Sequence, residues 1–409
     1  MKYVVLRCED RAPGTQLQSL KGLLDAAKLA TLHQVAQAGA VGILATKGTS
    51  ALPSLWQPAA RLDHSLQTHW RWLGYQLQDL SSTEAGETGE RSWQAGRCYA
   101  ASLGCALEPD EVAWCCELMT QRDGRVLDAT SGSMSTKEAE PLLEALNRQL
   151  GSTHRRWILG EGSHHLLVIR EAGLLKILGT TPIDPPDAVT GQLWRRQLPR
   201  TALGTWVRQL IEESEALLER HDVNRVRIDL GENPANLLWL WGPSVFRDVK
   251  PFEVHHGFRG AVISRAFGLR GLARLSQLTW VEAPATWTEN ACQRLGHTLL
   301  SALTAHEFVY VHVEIRDADP VERQCAMERL DQHVIKPLTD ALMRQGDVRC
   351  LVAVEDAPTG TMPFVALGSG LPEEPALRLT PTEAVKTSLR FQDGGALVRW
   401  LMDASAHRE

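Results

Sequence analysis

An α/β fold, with a mostly parallel sheet covered by helices on both faces, is predicted by three observations. Short apolar runs alternate with long amphipathic segments, the runs are rich in β-branched residues, and most are bounded by charge or glycine. The composition agrees: of 409 residues, 44% are hydrophobic and 22% charged, an ordinary globular balance. At about 150 residues per domain, this length suits two domains or one core carrying a large insertion.

Residues 4–6, 41–45, 166–169, 308–313 and 351–354 are read as buried strands. They are too short for helices and apolar on both faces, as parallel strands between helical layers must be. Residues 136–150 and 206–220 repeat apolar side chains at helical spacing, and Thr136 followed by Glu138 and Glu140 supplies a start for the first. The polar, glycine-containing stretch 78–92 reads as a linker or surface loop, and Pro182, Pro185 and Pro186 mark a second break at 180–191. The expected organisation is a core domain of residues 1–90 and 190–409, interrupted by a smaller α/β domain of residues 91–189.

Charge excludes some functions. With 43 Lys and Arg against 49 Asp and Glu, the net charge is -6, which gives no reason to expect nucleic acid or an anionic membrane as partner. No apolar run is long enough to span a bilayer, and the first apolar run ends in charges, as a strand does and a signal peptide does not. The eight cysteines include no Cys-x-x-Cys pair, so free thiols in a reducing, cytoplasmic setting are expected. Cys115 and Cys116 read as two ordinary buried thiols. Trp70, Trp72, Trp239 and Trp241, from a total of 13 tryptophans, read as core packing rather than a stacking platform. His164-His165 and His255-His256, taken as strand neighbours, point to opposite faces and do not chelate. His64 and His69, with Asp63, offer a set of metal ligands, but read first as loop residues.

Several segments together resemble one family, the archaeal-type, cofactor-independent phosphoglycerate mutases of the alkaline phosphatase superfamily. They are residues 1–6, Gly96-Arg97, 100–104, Asp123 to Asp128, Ser135 to Asn147, Asn233 to Gly242, 260–264, Val311-His312-Val313-Glu314 and Arg329-Leu330-Asp331. All occur in the family's order and span most of the chain. The resemblance implies an alkaline-phosphatase-like sheet domain with an inserted domain capping its cleft. The chemistry it implies is phosphoryl transfer between the hydroxyls of 2- and 3-phosphoglycerate, with two divalent cations activating a Ser or Thr nucleophile.

Measured against that pattern, the chemical residues differ. The family's first strand ends in Pro-Asp-Gly, with the Asp on metal; here it ends in Cys8-Glu9-Asp10. In the nucleophile motif Asn-x-Ser-x-x-Gly-Tyr, counted back from Gly74-Tyr75, His69 takes the Asn position and Arg71 the Ser position. A guanidinium stays protonated and cannot attack; Ser65 and Thr68 are the nearby hydroxyls. Asp317 matches a family metal-binding Asp, while Val321 stands where a His is expected, and the late Asp-His pair becomes Asp356-Ala357. In the insertion, Cys115-Cys116-Glu117 replaces Arg-x-Asn, His164-His165 replaces Arg-His, and Pro185-Pro186-Asp187-Ala188 replaces Pro-Pro-His-Asp. Arg97, Arg270 and Arg274 remain as candidates for an anion.

Two functions stay open. One is a family member without mutase catalysis, holding an unknown protein or a small anionic ligand, with no cofactor. The other is an active metal-dependent mutase, phosphotransferase or phosphohydrolase with a rebuilt site. That site would draw on Glu9, Asp10, Asp317, Asp319 and Asp356, with one weakly bound Mg²⁺ or Mn²⁺.

Overall fold

The computed structural model describes residues 1–10, 22–44, 64–76, 95–171, 173, 183–245, 249–317, 319–342, 344, 347–355 and 361–403. Along the chain, β1 (Lys2–Asp10) and β2 (Ala40–Leu44) come first. β3 (Val112–Arg122), β4 (Arg125–Asp128), β5 (Arg155–Glu161), β6 (His164–Ile169) and β7 (Leu237–Ser244) follow. The rest are β8 (Gly260–Ser264), β9 (Thr279–Glu282), β10 (Phe308–Ile315), β11 (Val348–Val354), β12 (Met362–Leu367) and β13 (Leu389–Phe391). The strands expected at 4–6, 166–169, 308–313 and 351–354 lie within these, and that at 41–45 coincides with β2 up to Leu44. The helices expected at 136–150 and 206–220 are Thr136–Leu150 and Ala202–Glu219.

Eight strands form the first sheet, in the order β13-β2-β12-β11-β1-β10-β8-β9. β1 pairs in parallel with both β10 and β11, and only β12 runs antiparallel to its neighbours. This is the mostly parallel, helix-flanked sheet the sequence predicts. Strand alternation divides its two faces. Val4, Leu6 and Cys8 join one core with the helix Glu289–Ala305, while Tyr3 and Val5 join a second core that continues into the other sheet.

The second sheet is antiparallel: β4-β3-β6-β5, with β7 also on β3. β7 lies beyond residue 189, so this sheet draws on more of the chain than the expected insertion of 91–189. The expected linker at 78–92 lies outside the described residues. Two helices join the layers. A Cβ added to Gly271, in the helix Phe267–Leu275, would lie 1.7 Å from the Cys98 carbonyl oxygen of the helix Ala95–Leu103. Only glycine permits so close a crossing.

The tryptophans pack as expected: Trp70, Trp72 and Trp239 are fully buried and Trp241 nearly so. Cys115 and Cys116 are buried free thiols. His255 and His256 end a short helix, Phe252–His256, and not a strand. There His255 stacks on Tyr75 at 4.5 Å, and His256 Nε2 lies 2.9 Å from the Leu73 carbonyl oxygen. Asp331, in the resembling Arg329-Leu330-Asp331, accepts hydrogen bonds from the amides of Thr31 and Leu32 at 2.9 and 2.7 Å. It therefore caps the helix Ala30–Ala36. Among the described residues no helix is long and apolar enough to cross a membrane.

Candidate functional site at the ends of β1 and β10

In open α/β sheets the carboxyl ends of the strands carry the site, and here polar side chains interrupt apolar strands at those ends. Residues of one parity share a strand face. Arg7 and Glu9 therefore follow Tyr3 and Val5, on the face covered by the helix His64–Trp72. In the parallel register, Val5 lies beside Tyr310, Arg7 beside His312 and Glu9 beside Glu314. The helix adds His69. Arg7, Glu9, His69 and His312 are all buried, at 5, 0, 2 and 2% exposure.

These groups lie against one another. Arg7 is ion-paired with Glu9, and its Nη1 lies 3.4 Å from His69 Nδ1. His312 Nε2 lies 3.3 Å from Glu9 Oε1, and its Nδ1 is 3.0 Å from Ser264 Oγ. Burial would lower the Arg7 pKa, but Glu9 outweighs it with help from Tyr310 and Glu355, so the net direction is up. Burial also pushes the Tyr310 phenol up against the pull of Arg7. The phenol stays protonated, and its oxygen lies 2.8 Å from His69 Nδ1. Glu314 is held below the ordinary carboxylate range: burial raises it, but His312 and the two-point contact with Arg316, at 2.8 and 3.1 Å, prevail.

Asp10, of the opposite parity, turns to the other face. There it meets the buried Arg323, whose Nε is 3.2 Å from Asp10 Oδ1. Arg323 also donates to the Asp317 backbone oxygen at 3.2 Å. The Asp317 and Asp319 side chains are exposed and occupied locally. Asp317 accepts from the Asp319 amide, and Asp319 from the Val321 amide, capping the helix Pro320–Leu330. Among the described residues, the one set of three metal-competent groups with ligand atoms within 4.8 Å is Glu9, His69 and His312. The expected grouping of Glu9 with Asp10 and Asp317 is therefore corrected, because parity separates Asp10 and local capping holds Asp317. Asp356 lies outside the described residues.

His69 is likewise not a loop residue but a buried member of a helix. Its role, and that of His312, was missed by motif matching. The i, i+2 spacing of Tyr310, His312 and Glu314 inside an apolar strand marks the face that His312 occupies, whereas no such signal marks His69, which reaches the cluster from a helix. Arg71 follows His69 by two positions, a turn of roughly 200° about the helix. It reaches Asp393 at 3.7 Å. Gly74 ends this segment at φ +81, with the His256 ring 2.8 Å from where a Cβ would stand.

The second sheet closes the far side. Buried Glu117 accepts from the Tyr99 hydroxyl at 2.7 Å and lies 2.7 Å from His164 Nδ1. Burial would lower the His164 pKa, but Glu117 raises it further. The His164 ring stacks on Phe267 of the first layer at 5.8 Å. Between the layers is a cleft of about 620 Å³ whose walls include Glu161, His164, Phe267, Trp287, Glu314 and Arg316. The three expected anion-binding arginines have structural surroundings. Arg97 is buried, Arg270 pairs with Glu161 at 2.5 Å, and Arg274 donates to the Ala101 and Ser102 carbonyls at 2.9 and 2.8 Å.

Comparison with known proteins places this architecture. Residues 91–224 match the family model for 2,3-bisphosphoglycerate-independent phosphoglycerate mutase. A protein of that name, numbered 2, from Methanothermobacter thermautotrophicus is 30% identical over 76% of this chain and 80% of its own length. Another of that name, from Methanosarcina mazei, is 27% identical over 94% of this chain and 95% of its own. Among solved structures, a Pyrococcus horikoshii protein superposes with TM-score 0.65 at 17% identity, covering 100% of this chain and 98% of that one. The cofactor-independent phosphoglycerate mutase of Thermoplasma acidophilum does so with TM-score 0.53 at 20% identity, covering 99% and 100%. The fold is that of the cofactor-independent mutases. The chain belongs to the 2,3-bisphosphoglycerate-independent phosphoglycerate mutase family.

Proposed function

We propose that this protein has lost mutase catalysis and serves its cell by binding, through the cleft between its two layers, a small anionic ligand or a protein. The observation that carries this reading is that buried arginines already hold both strand-end carboxylates, Arg7 on Glu9 and Arg323 on Asp10. A paired-metal clamp needs its carboxylates free to face cations, so these residues do not fit the two ions that the resemblance implies. Arg71 at the nucleophile position supports the same reading, since it has no acceptor with which to attack. The cleft persists, lined by both signs of charge and by aromatic rings, which suits binding without turnover.

The test is conversion of 3-phosphoglycerate with added Mn²⁺, by the natural protein and by Asp317→Ala and Glu9→Gln. No turnover above background in any of the three is expected. Mn²⁺-dependent turnover in the natural protein that either substitution abolishes would overturn the reading. A second reading, an active site rebuilt around one cation, is favoured by a single observation: Glu9, His69 and His312 present ligand atoms within 4.8 Å.

A further inference from the structure

We infer that Arg7 is a built-in cation closing a latent divalent-metal site made by Glu9, His69 and His312, and that a single transition-metal ion takes the place of its guanidinium when Arg7 is removed. The inference deepens the proposed loss of catalysis and rests on the same reading of the buried pairs.

The three groups supply one carboxylate and two imidazoles, a donor set that suits Zn²⁺ or Co²⁺ better than Mg²⁺. Ligand atoms about 2.0–2.2 Å from a tetrahedral ion lie roughly 3.3 Å apart. His312 Nε2 and Glu9 Oε1 are already 3.3 Å apart, and all three ligand atoms fall within 4.8 Å. Ligating imidazoles are normally oriented by a hydrogen bond on the other ring nitrogen. Here Ser264 Oγ lies 3.0 Å from His312 Nδ1, which leaves Nε2 toward Glu9. The Tyr310 hydroxyl lies 2.8 Å from His69 Nδ1 and fixes that ring.

Only the ion's place is contested. Arg7 is paired with Glu9, and its guanidinium also lies 3.4 Å from His69 Nδ1, so its charge sits against the carboxylate that an ion would neutralise. A fixed positive charge there repels a second one. A buried carboxylate is stabilised by positive charge beside it, and an ion between Glu9 and His312, whose ligand atoms are 3.3 Å apart, supplies that charge when the guanidinium is gone.

The test is Co²⁺ uptake after desalting, with visible d–d absorption, by the natural protein, Arg7→Met and Arg7→Gln, each purified or refolded with and without Co²⁺. The natural protein is expected to retain none at this site. Each variant is expected to retain one ion per chain with the absorption of a nitrogen and oxygen site. Adding His312→Ala should weaken that binding by at least about 100-fold, more than loss of an outer-shell partner costs. Recovery of folded Arg7 variants only in the presence of Co²⁺ would support the inference equally. Folded variants that retain no ion, or variants that fail to fold even with Co²⁺, would overturn it while leaving the turnover test of the proposed function untouched. Uptake by the natural protein that His312→Ala abolishes would also overturn the inference.

Discussion

Arg7 and Glu9 share one face of β1 because a strand repeats every two residues, and each makes burial of the other tolerable. The same holds across the strand for Asp10 and Arg323. Pairs of this kind add little net stability, but losing one partner leaves a charge in the interior and costs about 3–5 kcal/mol. A different buried group sets an acid limit. His165 is fully buried, and its Nδ1 accepts from the Gly160 amide at 3.1 Å, which requires a neutral ring. Burial, then the neighbouring His164, pushes its pKa down to about 3. Between pH 6.5 and about 3 the unfolded chain takes up a proton that the folded chain refuses. The stability due to His165 is therefore complete above 6.5 and falls as pH drops. At pH 5 the loss is roughly 2 kcal/mol. Urea unfolding at pH 7 and pH 5 should show this loss in the natural protein and a smaller one in His165→Gln. Equal losses would place the proton elsewhere.

At the scale of elements, the crossing of the helices Ala95–Leu103 and Phe267–Leu275 fixes how the second sheet sits over the first. Backbone meets backbone there without room for a methyl group, since a Cβ at Gly271 would overlap the Cys98 carbonyl. Backbone cannot swing aside as a flexible side chain can. Gly271→Ala is therefore expected to cost about 1–3 kcal/mol, typical of overpacking, seen as a lower urea midpoint. An unchanged midpoint would mean that the helices separate freely. Much of the element structure was legible beforehand: Thr136 with Glu138 and Glu140 signalled a helix start, and the structure puts the cap one residue earlier, as a capping box between Ser135 and Glu138. The short helix at His255-His256 was not legible. Five residues are too few for a 3.6-residue period to show, and its rings are placed by Tyr75 and Leu73 from a distant segment.

At the scale of the molecule, two sheets enclose a cleft, and both carboxylates at the end of β1 are already paired with this chain's own arginines. Stability should then be indifferent to divalent cations. An ion that binds only the folded chain adds stability that grows with the logarithm of its concentration, so with no such ion the melting temperature is expected to be the same in EDTA and in Mn²⁺. A rise in Mn²⁺ that Glu9→Gln removes would show that an ion reaches the buried cluster in the natural protein.

The sequence by itself determined the α/β class, the main strands and helices, and the family, because each follows from local periodicity or from segments in a recognisable order. It also determined that Arg71 stands where a nucleophile is expected, since identity at a position needs no coordinates. The tertiary structure alone decided which charges meet. Parallel pairing set Arg7 beside His312, the helix His64–Trp72 brought in His69 from more than fifty residues away, and strand parity sent Asp10 to Arg323. Such encounters depend on register and packing between distant segments, and no spacing along the chain encodes them.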